Sequence, residues 1–499
     1  MHTDQRYDFV IIGGGLGGLM CAGILSQNNY RVCVLERDKK AGGNLQTFSR
    51  NGCLFDTGMH YIGSYDKGQP LYQIFRYLGL VDKFKVQRLD DEGYDVISIG
   101  DREFRFSTGY DNFSKNLKQY FPGEESAIDA YIDTIKRVSN QVNTLGIFDD
   151  ETDKAAYFFS YNESAFDFIN NLTQNKLLRA VLAGNNGLYC GNSKKTPVNL
   201  LANTNNFYLG SAYRMSGGGH QLANALVSKI EQQGGLVLTG KKVTRLSFEG
   251  KRVASAETSA GEAYFADNFI SAVHPAVSLD WIEPGKLPKV YTDRIRNIEN
   301  TIGAFVLYLV VGKGKIRHRN GNLYYSVDED VWDINRTPGK PWPHGYMLYT
   351  TKDGDTGYAE SITVVTMLEY NEVRQWENTV TGRRGEDYRR FKQEKMEALT
   401  TLILKKLPEI KGNVLHSYAA TPLTFRDYTG SVNGSMYGIE KDCNNALKTF
   451  ISVRTKIPNF YFTGQNINNH GMLGVTIGAL ITAGNFIDIQ SVVQKIRNA

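Results

Sequence analysis

The sequence predicts an α/β fold in which a Rossmann-type nucleotide-binding domain is joined to a second, α+β domain, and three observations support this. The stretch from Tyr7 to Glu36 has the pattern of a strand, a glycine turn, a helix and a second strand. A similar pattern of a glycine turn, a helix and apolar strands returns at 212–272, and a last strand, turn and helix begin at Phe460. At 499 residues the chain needs more than one domain, since single cores stop growing at roughly 250–300 residues.

The first turn carries three glycines at G-x-G-x-x-G spacing. The apolar run Phe9 to Ile12 predicts a buried strand, and Leu16 to Leu25 predicts the helix after the turn. In this pattern Gly13 permits the tight turn, Gly15 lets backbone N–H groups approach a pyrophosphate, and Gly18 brings the helix against the strand. The diphosphate would then lie at the helix N-terminus.

Glu36 is the acid that a dinucleotide site requires after its second strand. It follows the apolar run Arg31 to Leu35 and lies eighteen residues after Gly18. A carboxylate there can accept hydrogen bonds from both hydroxyls of an adenosine ribose, which argues against a 2′-phosphate. The alternative is a glycine-rich loop in an unrelated α/β domain, but strand, helix and acid together favour a dinucleotide.

The segment after Glu36 favours FAD over NAD. Gly42 and Gly43 follow a short charged loop, and Gly58 and Gly63 flank the run MHYI. Glycine at this density indicates backbone pressed against a bulky group, or simply turns. Nicotinamide-binding units usually continue into another βα unit, whereas an extended glycine loop is expected where a flavin mononucleotide half must pass the ribose.

The nucleotide-binding domain is predicted to be discontinuous. Its second part has a helix ending near Ile230, strands at Val237–Leu238 and Val243–Phe248, hairpins around Gly250 and Gly261, and a buried strand at Phe269–Val273. We expect the nucleotide-binding domain at 1–79, 212–275 and 436–499, and the substrate domain at 80–211 and 276–435.

The two insertions carry little chemistry that the sequence alone identifies. Residues 127–142 predict an amphipathic helix, and the aromatic-rich stretch 151–189 is either core or a lid over an apolar substrate. In the second insertion we expect strands at Ile302–Val311 and Thr363–Leu368 and a helix at Asp387–Leu407. A basic loop there is either a solvated hairpin or a site for lipid headgroups or phosphate; it contains Lys313, Lys315, Arg317 and Arg319.

The last segment gives a second strong signal. Phe460 to Phe462 predicts a short strand, Gly464 a turn, and Val475 to Ile489 a helix with small residues along one side. The helix start near Gly471 to Gly474 offers N–H groups and a positive dipole. Such a start would stabilise the negative charge that a reduced flavin carries on its pyrimidine edge.

Composition excludes several classes of protein. The formal charge of +5 is spread over a long chain and does not indicate nucleic-acid binding. The five cysteines show no metal spacing and fit a reducing compartment, so we expect a cytoplasmic location and no metal. No signal peptide or stretch of roughly 18 apolar residues is evident, which leaves peripheral membrane contact open.

Five segments together resemble the FAD-dependent family that contains phytoene desaturases, carotenoid isomerases and retinol saturases. They are GGGLGGL at 13–19, LERDKKAGG at 35–43, GCLFDTGMHYIG at 52–63, SGGGHQLANAL at 216–226 and FTGQNINNHGMLGVTIGAL at 462–480. The third and fifth look most like the retinol saturases of this family. Asn468, Asn469 and His470 stand where phytoene desaturases tend to have a proline-containing motif, and the middle of the chain matches only loosely.

The resemblance implies a glutathione-reductase/amine-oxidase-like fold, noncovalent FAD, an apolar tunnel for a long polyene and peripheral membrane contact. No separate nicotinamide motif is present, so we expect an external electron partner: NAD(P)H, a quinone or O2. The residues that the resemblance places at FAD are Gly13, Gly15, Leu16, Gly17, Gly18, Glu36, Arg37, Gly43, Asn44, His60, Val243, Gly464, Gly474 and Val475.

The chemistry that the resemblance implies also needs a general acid. Hydride transfer at flavin N5 to one carbon of a double bond requires a proton for the other carbon, and Tyr and His are suitable donors. The candidates are His60, Tyr61, Tyr437 and His470. Three of them have a structural alternative: a backbone-bonded histidine for His60, a packing ring for Tyr437 and a helix cap for His470.

We therefore expect an FAD-dependent oxidoreductase that acts on C=C or CH–CH bonds of a hydrophobic, isoprenoid-like molecule. Two alternatives remain. A flavin amine oxidase shares the nucleotide-binding halves but favours an aromatic cage, and no partner for Tyr437 is evident in the sequence. A non-catalytic carrier would keep its flavin for stability. Substrate, direction of electron flow and oligomeric state stay open.

Overall fold

Two seven-stranded sheets organise the protein in the computed structural model, which describes residues 6–141, 162–336, 339–467 and 469–499. The strands are β1 (Arg6–Ile12), β2 (Val32–Leu35), β3 (Thr47–Arg50), β4 (Cys53–Asp56), β5 (Ile62–Gly63), β6 (Lys85–Arg88), β7 (Asp95–Ile99), β8 (Arg102–Phe106), β9 (Ala212–Ser216), β10 (Leu236–Leu238), β11 (Val243–Glu249), β12 (Arg252–Thr258), β13 (Ala263–Ser271), β14 (Gly303–Val311), β15 (Asn322–Ser326), β16 (Gly345–Lys352), β17 (Ala359–Leu368), β18 (Val414–Ala420) and β19 (Phe460–Phe462).

Fifteen α-helices are present among the described residues. They are α1 (Leu16–Gln27), α2 (Pro70–Tyr77), α3 (Tyr110–Tyr120), α4 (Glu125–Gln141), α5 (Ala165–Leu172), α6 (Lys176–Leu182), α7 (Val198–Gly210), α8 (His220–Gln232), α9 (Pro275–Leu279), α10 (Lys289–Arg296), α11 (Glu386–Ile403), α12 (Pro422–Thr429), α13 (Ala446–Thr449), α14 (Gly471–Ala483) and α15 (Ile489–Arg497). The predicted aromatic stretch at 151–161 and the predicted end of the helix at 142 lie outside the described residues.

The first sheet confirms the predicted nucleotide-binding fold. Its order is β10-β2-β1-β13-β12-β11, with β19 paired to β13, and β10, β2, β1, β13 and β19 run parallel. Parallel strands are covered on both faces, which explains their continuous apolar runs. The strands therefore come from three distant parts of the chain, as the sequence predicts for this sheet.

Several predicted element boundaries are wrong; the strand predicted at Thr363–Leu368, for example, begins at Ala359. Phe269–Val273 is not a separate strand but belongs to β13, which pairs with β12 at its start, with β1 from Phe265 onward and with β19 at its end. The last predicted helix is two helices, because α14 ends at Ala483 and Asp488 caps α15 by accepting the Ser491 N–H at 3.2 Å. Helix α11 ends at Ile403, four residues before the predicted end.

The second sheet is mostly antiparallel and has the order β18-β14-β17-β16-β15-β7-β8. Strands β7 and β15 run parallel and join the first insertion to the second. A separate three-stranded sheet, β5-β9-β6, contains β9, which the sequence assigned to the nucleotide-binding domain. The domain boundaries stay predictions.

Candidate active site

A large cavity extends from the carboxyl ends of β1 and β2 to one face of the second sheet. Its wall includes Ile12 and Leu35 at one end and Tyr324 and Tyr349 at the other. Its volume of about 470 Å³ is typical of sites that bury a small ligand. Open α/β sheets bind ligands outside the carboxyl ends of their strands, which is where this cavity begins.

The glycine turn has the geometry that its sequence predicts. Gly13 has φ +107°, a conformation that strongly favours glycine. A Cβ on Gly15 would meet nothing within 4 Å, so the backbone there is open to a ligand in the cavity. A Cβ on Gly18 would overlap the carbonyl oxygen of Gly13, so Gly18 serves the contact between helix and strand and does not line the cavity.

The two ends of the chain meet at this turn. A Cβ on Gly17 would lie 2.7 Å from Gly464 Cα and 3.4 Å from Val475 Cγ1. All three residues line the cavity. Gly474 does not, because it faces Asn469, whose Cβ would be 2.7 Å from an added Cβ. The predicted ligand contact at Gly474 is therefore not supported by its position.

Glu36 lies at the nucleotide end of the cavity. Its Oε2 accepts the Gly14 N–H at 2.7 Å and its Oε1 accepts the Asp38 N–H at 2.8 Å. Burial raises the pKa of this carboxyl above its usual value, while the two N–H donors oppose the rise. The other predicted contacts on this wall are Leu16, Arg37, Gly43, Asn44 and Val243.

The second sheet contributes one face to the cavity. Tyr308, Thr363 and Tyr349 lie opposite one another on β14, β17 and β16. The next row is Val306, Val365, Met347 and Tyr324. All seven line the cavity. Directly opposed residues share a face of a sheet, so this wall is aliphatic with tyrosine hydroxyls at intervals.

His60 lines the cavity between two aromatic rings. It stacks on Tyr349 with 5.6 Å between centroids and lies 4.8 Å from the Tyr61 ring. Its Nε2 is buried without a hydrogen-bond partner among the described residues. Burial, with a smaller contribution from Arg214, lowers the pKa of His60 to about 3, so the ring is neutral at pH 7. The predicted alternative of a backbone-bonded histidine is not what the structure shows at Nε2.

Tyr61 also lines the cavity and belongs to a buried hydrogen-bond network. Its hydroxyl donates to Asp95 Oδ2 at 3.1 Å and lies 3.1 Å from the Tyr324 hydroxyl. Its ring stacks on Tyr208 at 4.0 Å. Burial and the neighbouring carboxyl of Asp95 raise the pKa of Tyr61 well above its usual value.

Tyr437 and His470 form a stacked pair, with centroids 4.0 Å apart, at the start of α14. His470 is therefore the ring partner of Tyr437 that the sequence does not reveal. His470 Nε2–H donates to the Leu188 carbonyl at 2.8 Å, and burial lowers the pKa of His470 to about 4. The Tyr437 hydroxyl donates to the Gly187 carbonyl at 3.3 Å. His470 occupies the cap position of α14 but makes no side-chain cap bond.

Sequence reasoning missed most of the tyrosine wall, including Tyr208, Tyr308, Tyr324 and Tyr349. A signal was available on β14 to β17, where alternate residues of each strand point to one face. The sequence does not show which face meets the cavity, because that depends on strand register.

Two further findings concern metals and membranes. Within the described ranges, no group of three or more His, Cys, Asp or Glu side chains is placed to hold a metal ion. None of the helices in the described part of the chain is both long and apolar enough to cross a bilayer.

A glycine turn, a buried acid after the second strand and the start of a C-terminal helix meet at one cavity, an arrangement typical of dinucleotide-binding folds. The sequence profile of the flavin containing amine oxidoreductases matches residues 16–485, and the chain belongs to this family. The resemblance found from the five motifs is thereby confirmed at the level of cofactor class, because the family is flavin-containing.

The chain is also similar to individual proteins over most of its length. It is 26% identical to the all-trans-retinol 13,14-reductase of Homo sapiens, over 99% of this chain and 89% of the relative. It is 23% identical to prolycopene isomerase 1 of an Oncidium hybrid cultivar, over 96% and 83%. Among solved structures, an oxidoreductase from Methanosarcina mazei superposes with a TM-score of 0.65 at 16% identity, over 95% and 99%, which shows the fold.

The described residues that line the cavity fit the parts of FAD. Gly15 leaves space at the α1 N-terminus for a diphosphate, Glu36 lies where an adenosine ribose would follow, and α14 begins beside the turn. His60, whose buried Nε2 has no hydrogen-bond partner among the described residues, lines the same cavity.

Proposed function

We propose that this protein is an FAD-dependent oxidoreductase that acts on C=C or CH–CH bonds of a long, isoprenoid-like substrate such as a retinoid or carotenoid. The observation that carries the proposal is the continuity of one cavity from the glycine turn to the apolar face of the second sheet. The relatives named as retinol reductase and prolycopene isomerase support the same substrate class.

The residues proposed to hold FAD follow from the cavity wall. Gly15 and the α1 N-terminus receive the diphosphate, Glu36 the ribose, and Gly464 with Val475 the flavin end. Bound there, FAD would supply hydride exchange at N5. The protein's own groups orient the substrate beside it, exclude water and supply a proton.

The distribution of charge favours an apolar substrate over an amine. The carboxylates among the described lining residues are Glu36 and Asp38 at the nucleotide end, and Asp56, which accepts the Gly219 N–H at 2.9 Å. None lies on the rows of β14 to β17. An ammonium group buried against that wall would lack a carboxylate partner, which makes its desolvation costly.

The neutral histidines limit the choice of general acid. Because burial lowers the pKa of His60 to about 3 and that of His470 to about 4, neither ring holds an extra proton at pH 7. A tyrosine hydroxyl remains protonated at that pH. Among the predicted candidates, Tyr61 and Tyr437 therefore remain able to supply a proton, either directly or through a neighbouring hydroxyl.

Anaerobic half-reactions test the proposal. The dithionite-reduced protein is mixed with all-trans-retinol or a carotene, and the oxidised protein separately with a retinoid or an aliphatic diamine. We expect the polyene to oxidise or reduce the flavin and to be converted to a product that has gained or lost two hydrogens. Reduction by the diamine alone would indicate an amine oxidase, and no response to either would indicate a carrier.

A pair of variants tests where the polyene binds. Val365→Thr places a hydroxyl on the cavity wall, and Val380→Thr makes the same change at a side chain that is 69% exposed. Burying an unpaired hydroxyl costs about 1–3 kcal/mol, so Val365→Thr should bind the polyene at least about fivefold more weakly with FAD content unchanged. Equal affinities for the two variants would contradict the assignment of this wall.

We also propose a cytoplasmic protein that contacts membranes peripherally and uses an external NAD(P)H, quinone or O2. An exposed apolar patch supports the membrane contact: Val290, Leu447 and Phe450 are 82%, 76% and 50% exposed. Arg294 joins α10 to α13 by donating to the carbonyls of Lys448 and Phe450, both at 2.9 Å. Liposome flotation should show binding that Leu447→Ser weakens; flotation of neither protein would contradict this contact.

A further inference from the structure

A wholly buried acid lies beside Tyr324, one strand further along the second sheet. Asp95, the first residue of β7, has 0% exposure and does not itself line the cavity. It faces Asn322, its register partner on β15. A buried carboxyl is costly unless it is paired or protonated, so its partners decide its state.

Two hydroxyls connect this carboxyl to the cavity. Asp95 Oδ2 accepts from the Tyr61 hydroxyl at 3.1 Å, and that hydroxyl lies 3.1 Å from the Tyr324 hydroxyl. Tyr61 and Tyr324 both line the cavity. The hydrogen bonds from Asp95 through Tyr61 to Tyr324 therefore form a continuous path from a buried carboxyl group to the cavity.

No cation contacts the carboxyl directly in the described part of the chain. Asp95 Oδ1 accepts from Asn322 Nδ2 at 2.8 Å, and Asn322 Oδ1 accepts from Arg214 Nη2, also at 2.8 Å, so one amide separates acid and guanidinium. The other titratable groups facing Asp95 are phenols, on Tyr94, Tyr208 and Tyr324. Burial raises the pKa of Asp95 to about 7, although hydrogen bonds from Asn322, Tyr61 and Asn185 act to lower it.

We propose that Asp95 stores the proton used at the cavity and exchanges it with the substrate through Tyr61 and Tyr324. This rests on the proposed function. For saturation, FAD bound in the cavity would supply hydride to one alkene carbon, and the new C–H bond would leave an electron pair on the other carbon. When Asp95 is protonated, its carboxyl donates to the Tyr61 hydroxyl and Tyr61 donates to Tyr324; when it is ionised, it accepts from Tyr61. The carbon with the electron pair takes the Tyr324 proton, Tyr324 takes the Tyr61 proton, and Tyr61 takes the Asp95 proton. The alkene is reduced, the flavin oxidised and Asp95 left as carboxylate; desaturation runs the same transfers backwards.

The positions of the groups explain why a store is needed. Tyr324 has Tyr61 as its hydroxyl partner among the described residues, and burial keeps the pKa of both phenols far above neutrality. A phenolate left in such a site is strongly disfavoured. A carboxyl that titrates near neutrality replaces the proton at once, so Asp95 is a positioning residue that acts through the tyrosines.

The first test does not depend on catalysis. Infrared difference spectra of the FAD-bound protein between pH 5 and pH 9 should contain a protonated-carboxyl C=O band that is lost as the pH rises through about 7. Asp95→Asn should remove that band, and Asp267→Asn, which changes an exposed carboxylate paired with Arg6, should leave it. Burial raises the pKa of Asp56 to about 6, so the comparison is repeated in an Asp56→Asn background. A band that is lost through about pH 7 and survives when Asp95→Asn is added to that background overturns the proposal.

The second test uses the polyene half-reaction. The wild-type rate of saturation should fall above about pH 7, and Asp95→Asn should lower it by about 10²–10⁴-fold and remove that pH dependence. Tyr324→Phe keeps the ring and leaves Asp95 in place but removes the hydroxyl that completes the path. It should therefore slow the reaction while retaining the infrared band. If Asp95→Asn does not fold, Tyr324→Phe still tests the proposal. If the wild-type protein reacts with a polyene and both variants keep its rate and pH profile, the proton store is refuted but the proposed function is not. If the wild-type protein reacts with no polyene, the proposed function is refuted as well.

Discussion

Alanine at Gly17 tests the contact between the two ends of the chain. The new Cβ would lie 2.7 Å from Gly464 Cα and 3.2 Å from Gly464 N, both of them backbone atoms that cannot rotate away. Overpacking of this kind typically costs about 1–3 kcal/mol. We expect Gly17→Ala to lower the stability of the FAD-bound protein by that amount.

Gly23 offers a matched control in the same helix. Its added Cβ would meet Leu226 Cδ2 at 3.7 Å, an ordinary contact. Alanine is more favourable than glycine in a helix interior by about 0.8–1.0 kcal/mol, so Gly23→Ala should stabilise the protein slightly. The two substitutions are chemically identical, and the structure predicts opposite signs.

Denaturant unfolding followed by flavin fluorescence measures both variants, together with the flavin-to-protein ratio after desalting. If Gly464 moves away to relieve the overlap, the strain also weakens FAD binding by roughly five- to 150-fold. A Gly17→Ala protein as stable as the wild type, with full FAD content, would show that Gly17 and Gly464 are not in contact.

Three other outcomes follow from the site. Glu36→Arg should lower FAD retention more than Glu36→Gln, because it places a cation where the ribose hydroxyls need an acceptor; equal FAD content in Glu36→Arg and wild type would count against the ribose assignment. Acid precipitation should release free flavin into the supernatant, and flavin that stays with the polypeptide would disprove noncovalent binding. Burial lowers the pKa of His470 to about 4, so the folded protein binds this proton less readily than the unfolded chain, and stability should fall as the pH drops from roughly 6.5 towards 4. His470→Gln can keep a donor to the Leu188 carbonyl and should flatten that part of the curve of unfolding free energy against pH; superimposable curves would refute this cause.

The predicted elements that hold are those whose signal is local. The turn from β1 to α1 is specified by glycines within a few residues of one another, and Phe460–Phe462 is bounded by its own turn signals. The break after Ala483 was missed because apolar residues continue through Ile487 and Ile489, although Asp488 with Ser491 three residues later is a cap pattern.

The candidate site was only half visible in the sequence. The nucleotide end is encoded by motifs, but Asp95 and Tyr324 are brought together by the pairing of β7 with β15, more than two hundred residues apart. No local pattern marks a strand-leading aspartate as buried, since such residues are mostly exposed. Register and sheet order decide its environment, and these are properties of the assembled fold.

The pairing of β19 with β13 and the contact between Gly464 and Gly17 determine when FAD can bind during synthesis of the chain. The glycine turn is synthesised some four hundred and fifty residues before Gly464, which lies on the opposite side of the cavity. FAD can be held between the two sides only after Phe460 and the turn that follows it have been made, so a translation product arrested before Phe460 would not retain the flavin.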